Sequence, residues 1–177
     1  MRALKTKFTL VGIAALGLLF AGCLMSGTFV ITEDFSFTAS SGFYFYSVDV
    51  TTEPDWEDHK DNIDMIDVVG FEMTMDNTNP GAVTFNVYVA PYAATQQYTS
   101  KAELDASAFV VIEDLPVPAG TSTMTYVQSL GHIKNLAKLK ELAKTGKFHY
   151  YGVAEGITSG TFTVDPGKII ITVSASK

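Results

Sequence analysis

The sequence predicts an all-β chain, an antiparallel β-sandwich carrying one amphipathic helix. Three observations predict it. Apolar and polar residues alternate with a period of two along most of the chain. The alternating runs are short and separated by clusters of Gly, Pro, Asn and Asp. One segment, residues 129–146, changes to helical spacing. Twelve Phe and eight Tyr in 177 residues supply the apolar bulk for a core.

The chain begins with Arg2, Lys5 and Lys7, followed by an uncharged apolar run of 13 residues, Phe8 to Phe20, ending at Ala21 and Gly22. A membrane-crossing helix needs about 20 apolar residues. The run is too short for that and has the layout of an export signal, residues 1–22, that is cut away. Strands are predicted at Thr28–Phe37 and Phe43–Val50. The second reads FYFYSVDV, with Phe43 and Phe45 on one side and Tyr44 and Tyr46 on the other, so it is expected to lie centrally or beneath the helix. Next, Val69, Phe71, Met73 and Met75 share a face, as do Val83, Phe85, Val87 and Val89. Between them NTNPG (77–81) has strong turn chemistry, and the two runs are expected to form a hairpin. Further strands are predicted at Ala108–Glu113, Ser122–Val127, Lys147–Ala154, Thr161–Val164 and Lys168–Ser174, separated by turns such as LPVPAG, EGITSG and DPG. The helix is expected at about 131–144, with Ile133, Leu136, Ala137, Leu139 and Ala143 on one arc and Gly146 as its C-terminal cap. A short helical turn is expected in TEPDWEDHK, where Thr52 and Asp55 have capping-box spacing. Eight or nine short strands of this kind predict a fibronectin/immunoglobulin-like sandwich in a single domain, residues 28–177.

The chain has one cysteine, Cys23, directly after the apolar run. Phe20, Ala21, Gly22 and Cys23 resemble the lipobox of bacterial lipoproteins: an apolar residue, two small residues that let a peptidase approach, and the cysteine that forms a thioether with lipid. The resemblance implies that Cys23 becomes the first residue of the mature protein and carries palmitate-type acyl chains, with 23–27 as a tether. It also implies localisation in a bacterial cell envelope, in the outer membrane where the host has one, facing the periplasm or the surface. Several acyl chains anchor stably where one does not. With Cys23 acylated, no disulfide forms within the chain.

Beyond residue 22 there are nine basic and nineteen acidic residues, a formal charge of −10. That balance repels phosphate backbones and excludes nucleic acid as a partner. Ten acids fall between Asp49 and Asp76 against Lys60 alone, whereas five lysines fall between Lys134 and Lys147 against Glu141.

The densest group of ligand-type residues is DWEDHKDNIDMID, 55–67. On a helical turn Asp55 meets His59 and Glu57 meets Asp61. Two readings stand beside each other: a cation site of Asp55, Glu57, Asp58, His59 and Asp61, which as an oxygen-rich set would suit Ca²⁺, or a solvated turn pinned by Trp56, Ile63 and Ile66. A partner-docking surface is a third. Apart from Ca²⁺ no cofactor is expected, and no catalytic residue is assigned. His59, His132 and His149 are candidate general bases without an accompanying nucleophile elbow, zinc motif or phosphate loop.

A second resemblance covers about residues 65–175. The turn Asn77–Asn79–Pro80, a strand ending in Tyr88, the Val117–Gly120 turn and a helix returning into GKFHYYGVAEG are similar to the water-stress sandwich of late-embryogenesis-abundant proteins. It implies a non-enzymatic module. The expectation is therefore a lipid-anchored envelope protein with a non-catalytic accessory or binding role. The alternative is a calcium-stabilised module that binds carbohydrate or protein, with an envelope protein or a glycan as the partner.

Overall fold

A computed structural model describes residues 27–39, 42–93 and 98–176. The export signal, the lipobox, Cys23 and most of the tether lie outside the described residues. The strands are β1 (Gly27–Ala39), β2 (Phe43–Asp49), β3 (Ile63–Asn77), β4 (Val83–Pro91), β5 (Phe109–Val117), β6 (Gly120–Met124), β7 (Lys147–Glu155) and β8 (Phe162–Ala175). The helices are α1 (Pro54–His59), α2 (Lys101–Ser107), α3 (Tyr126–Leu130) and α4 (Leu136–Lys144).

All pairings between these strands are antiparallel. Sheet A runs β1-β8-β3-β6 and sheet B runs β2-β7-β4-β5. The sandwich is the predicted fold class, but its strands alternate between the two sheets except at β4 and β5, which are neighbours in sheet B, and this is the eight-stranded jelly-roll order. The immunoglobulin order instead places strands A, B, E and D on one sheet and C, F and G on the other.

This order overturns the expected hairpin. β3 and β4 lie in different sheets, and NTNPG carries the chain across the end of the sandwich. Asn77 and Asn79 are 1% and 2% exposed. Asn77 donates through Nδ2 to the carbonyls of Gly81 (2.9 Å) and Val117 (3.1 Å). Asn79 Oδ1 accepts from the amides of Thr158 (2.9 Å) and Gly160 (3.0 Å), and Nδ2 donates to Asn77 Oδ1 (3.0 Å). Turn-forming residues thus act here as a polar clasp joining β3, the β7–β8 loop and β5.

The core lies between the sheets, where Phe71, Phe85, Phe148, Tyr150, Phe162, Ile169 and Ile171 are fully buried. β8 is one strand where two were predicted. Its inward residues are Phe162 and Val164 before Asp165–Pro166, and Gly167, Ile169, Ile171 and Val173 after it, so the inward phase switches from even to odd. Phe35 pairs with Gly167 and Phe37 with Val164, and Met73 and Met75 pair with the same two residues from the other side. Asp165–Pro166 is therefore a bulge in a central strand, opposite Ser36 and Thr74, and DPG is no turn. A bulge is one of the few places where proline fits a sheet interior, since it has no N–H to donate.

Of the helix predicted at about 131–144, residues 136–144 form α4; α3 precedes that range and replaces the end of the strand expected at Ser122–Val127, which stops at Met124. Thr125 and Gln128 form a capping box that starts α3. Asn135, at φ +52°, separates α3 from α4. Leu139, Leu142 and Ala143 of α4 are buried in the main core, and Asn135 Nδ2 donates to Val110 O. The helices thereby close the gap between β3 and β5. Gly146 is the expected C-terminal cap at φ +75°; a Cβ there would lie 2.6 Å from Thr51 Cγ2 and 2.7 Å from Trp56, so the position needs glycine on both counts.

β2 is an edge strand, contrary to the central position expected of it. Tyr44 and Tyr46 face the sandwich interior, where Tyr44 stacks on Phe37 at 4.1 Å. Phe43 and Phe45 face outward against Tyr151 and His149. The outer face of sheet B is itself covered: Tyr88, Ala90, Leu104, Tyr151 and Val153 form a second cluster under α2 and its flanks. α2 was not predicted, although Ser100 and Glu103 have capping-box spacing; Ser100 Oγ accepts from Glu103 N and Glu103 accepts from Thr99 N.

Candidate functional site

The acidic segment is divided by the fold. Residues 54–59 form α1, started by Pro54 with Glu53 as the N-cap, and the Thr52–Asp55 capping box does not form. Trp56 is 5% exposed and pins the helix, as expected. Residues 60–62 are a single 3₁₀ turn, and from Ile63 onward the chain is strand. The metal set does not converge. His59 hydrogen-bonds through Nδ1 to the backbone carbonyl of Asp55 (2.9 Å) and its ring lies 4.6 Å from that of Phe29. Glu57 pairs with Lys60 at 2.6 Å, and Asp55, Asp58 and Asp61 are exposed. Among the described residues no three His, Cys, Asp or Glu side chains are grouped to hold a metal ion. The lysine-rich region meets the acidic one only at its margins, through Lys144 to Asp64 O (2.9 Å) and Lys147 to Asp49 (2.7 Å). The Lys147 ammonium and the Thr51 hydroxyl hold Asp49 below the ordinary carboxylate range.

His132 is exposed after α3. His149 is 3% exposed and does meet a serine: Nδ1 lies 3.1 Å from Ser47 Oγ. Its Nε2 lies 2.9 Å from Ala93 O and 3.1 Å from Ala93 N, and Phe45 and Tyr92 cover the ring at 5.0 and 5.1 Å. Both ring nitrogens are engaged and no described cleft reaches them, so the pair fixes the start of the β4–β5 connection onto sheet B.

A polar cleft of about 360 Å³ lies between α2 and β5. Within it Asp105 accepts from Tyr88 through Oδ1 (2.7 Å) and from Lys101 through Oδ2 (2.9 Å). Burial, and then the hydrogen bond to Asp105, push Tyr88 up to about 12, while the Tyr88 and Lys101 bonds hold Asp105 down. With both oxygens of Asp105 occupied, the network ties α2 to β4.

The larger cleft, about 800 Å³, spans sheet A over the β8 bulge, within the size range of ligand sites. Across its floor the register sets Asp34, Lys168 and Glu72 side by side on adjacent strands. Lys168 lies 3.6 Å from Asp34. Asp165, Ser36, Thr74 and Thr123 continue the lining. Towards the Gly27 end of the same face the row becomes Val30, Thr172, Val68, then Thr28, Ser174, Met65. Val30 and Met65 are 49% and 55% exposed. The outer face of sheet A is thus polar and doubly charged at mid-length and aliphatic near its N-terminal end. Sequence alternation set Glu72 and Thr74 on the face opposite Phe71 and Met73, but only the register brings them beside Asp34 and Lys168.

No family model matches this chain, and no curated protein matches it. The fold is similar to that in "Structure of infectious bursal disease virus Gx strain", at 13% identity and a TM-score of 0.37, covering 83% of this chain and 32% of that one. It is also similar to the structure of Desmodium yellow mottle tymovirus, at 16% identity and a TM-score of 0.27, covering 85% of this chain and 90% of that one. The chain spans about a third of the length of the first of these.

Proposed function

We propose that this protein is a lipid-anchored, non-catalytic module of a bacterial cell envelope and that the outer face of sheet A is its working surface. The observation that carries the reading is the sequence Phe20–Cys23 after an apolar run of 13 residues, four positions before the first strand at Gly27. A strand beginning there leaves a short tether of four residues, Cys23 to Ser26, for an acylated Cys23 and holds the domain at the membrane. The non-catalytic part rests on the histidines: none of the three lines either cleft described above, and His149 is spent on Ser47 and Ala93. The envelope partner is one that meets a face bearing both signs of charge and an aliphatic strip.

Cys23→Ser tests the anchor. It should accumulate a larger, unlipidated precursor, seen as a higher intact mass and as loss from the detergent phase on partitioning. Normal processing and membrane retention of this variant would sink the lipoprotein reading.

A further inference from the structure

The outer face of sheet A ends where the chain enters the domain. Gly27 pairs with Ala175, and Ala175 with Ile63, so the first residue of β1, the end of β8 and the start of β3 share one end of the sandwich. Cys23 precedes Gly27 by four residues, which reach at most about 14 Å when fully extended. An acyl group on Cys23 therefore keeps this end within that distance of the bilayer.

The same end carries the apolar surface. Val30 and Met65 are two of the large apolar side chains exposed among the described residues, and the register sets Val30 and Val68 on either side of Thr172. Ile170 continues the strip one row on, beside Gly70, where the Tyr126 ring lies 2.5 Å from the position a Cβ would take. α3 adds Val127 and Leu130, 75% and 39% exposed. Beyond the strip comes the Asp34–Lys168–Glu72 row, offering carboxylates to an ammonium and an ammonium to a phosphate. Asp64 and Asp67, hydrogen-bonded to Ser176 and Ser174, edge the strip with negative charge.

From this placement we propose that the outer face of sheet A is seated on the bilayer, and that its partner is a zwitterionic, amine-bearing phospholipid surface. The inference rests on the lipid-anchor reading and names the partner of the face assigned there. The aliphatic strip enters the interface, the mixed-charge row faces the headgroups, and the acidic border together with the overall charge of −10 beyond residue 22 disfavours an anionic leaflet.

The test uses the full chain, processed and with acylation of Cys23 verified by intact mass, in vesicles of phosphatidylethanolamine and phosphatidylcholine bearing a quencher at the headgroup–acyl boundary. Fluorophores are attached through cysteines introduced by Met65→Cys, Val30→Cys and, at the opposite end, Ser159→Cys. A seated side chain enters the interface by roughly 5–10 Å, so positions 65 and 30 should be quenched about threefold more than 159. Replacing half the lipid with phosphatidylglycerol should erase the difference, and high salt should restore it. Val30→Ser with Met65→Ser should abolish quenching of a label introduced by Thr28→Cys while the acylated protein stays with the vesicles. Equal quenching at 65 and 159 in acylated protein overturns the seating and leaves the anchor intact. Protection of position 65 that rises with protein concentration in detergent alone assigns the strip to a second copy and also overturns it. An unmodified Cys23 overturns the anchor and the seating together.

Discussion

Replacing Asn79 with alanine should be among the most damaging single changes outside the apolar core. The side chain is 2% exposed, and its Oδ1 is the acceptor for the amides of Thr158 and Gly160 at 2.9 and 3.0 Å, with Ser159 N at 3.4 Å. Its Nδ2 donates to Asn77 Oδ1 at 3.0 Å. Alanine leaves at least two amides and the Asn77 carbonyl oxygen without this partner, in a corner packed so closely that a Cβ on Gly160 would lie 2.6 Å from the Thr78 backbone. Each buried polar group deprived of its partner costs about 1–3 kcal/mol, and partial hydration of the loop brings the sum to about 3 kcal/mol. That is a large fraction of the ~5–15 kcal/mol stability of a domain. Urea denaturation of the purified full chain in detergent, followed by fluorescence of Trp56, reads it as a lower midpoint at unchanged slope. Asn79→Asp keeps the acceptor and loses the donor to Asn77, so it should fall between wild type and alanine. A loss below about 0.5 kcal/mol, the size of an ordinary surface substitution, would refute the clasp.

Tyr150→Phe should move the other way. Its hydroxyl is the one buried side-chain polar atom among the described residues without a hydrogen-bond partner. Removing it relieves a desolvation penalty and should stabilise by about 1 kcal/mol in the same assay; a loss of that size would mean that the hydroxyl has a partner. Stability should also depend on pH at both extremes. Asp49, Glu103 and Asp105 have lowered values in the folded state, so their contribution is complete above the ordinary carboxylate range near 4 and is lost as pH falls through the lowered values. Lys101 and Lys147 are raised, chiefly by Asp105 and Asp49, so their contribution is present below about 10 and is lost as pH rises past the raised values. Melting temperature should therefore be flat between about pH 5 and 9, and a peak inside that window would assign the dependence to other groups.

The two-sheet architecture was legible because runs such as 69–75 and 83–89 keep one phase of alternation, and a chain with that pattern has to bury one face of each sheet. Pairing was not legible, and the NTNPG segment shows why. Asn, Pro and Gly specify a reversal of direction, but a reversal within one sheet and a crossing between sheets use the same local chemistry. What separates them is that Asn77 and Asn79 find acceptors and donors on β5 and on the β7–β8 loop, 40 to 81 residues away. Likewise the change of phase at Asp165 read as a break between two strands, because a bulge needs Ser36 and Thr74 opposite it to be recognised. The acidic group at 55–61 was legible as a helical turn held by Trp56. As a cation site it has no support in the fold: Asp55, Glu57, Asp58 and His59 lie on a helix of six residues, Asp61 on the 3₁₀ turn after it, and among the described residues no three such side chains are grouped. The cleft over the bulge had no local signal at all, since Asp34, Glu72, Asp165 and Lys168 come from three strands.

The distribution of charge follows from the same folding. The ten acids between Asp49 and Asp76 look like one block in sequence, but strand β3 carries the last of them away from the rest. Asp49 to Asp67 stay at the end where Gly27 enters, whereas Glu72 and Asp76 lie on the outer face of sheet A at mid-length and at the far end. A bilayer held against the Gly27 end meets the first group edge-on and the second face-on. On the seating proposed above, neutral lipid would let the aliphatic strip decide the orientation, because a zwitterionic surface carries no net charge to repel the exposed acids. On the same proposal anionic lipid would reverse that preference, since each acid at this end would add repulsion while the proposed acyl anchor would still prevent departure. In the proposed seating the domain would stand upright on its tether on an anionic leaflet and lie down on a neutral one, with the acidic segment setting the orientation.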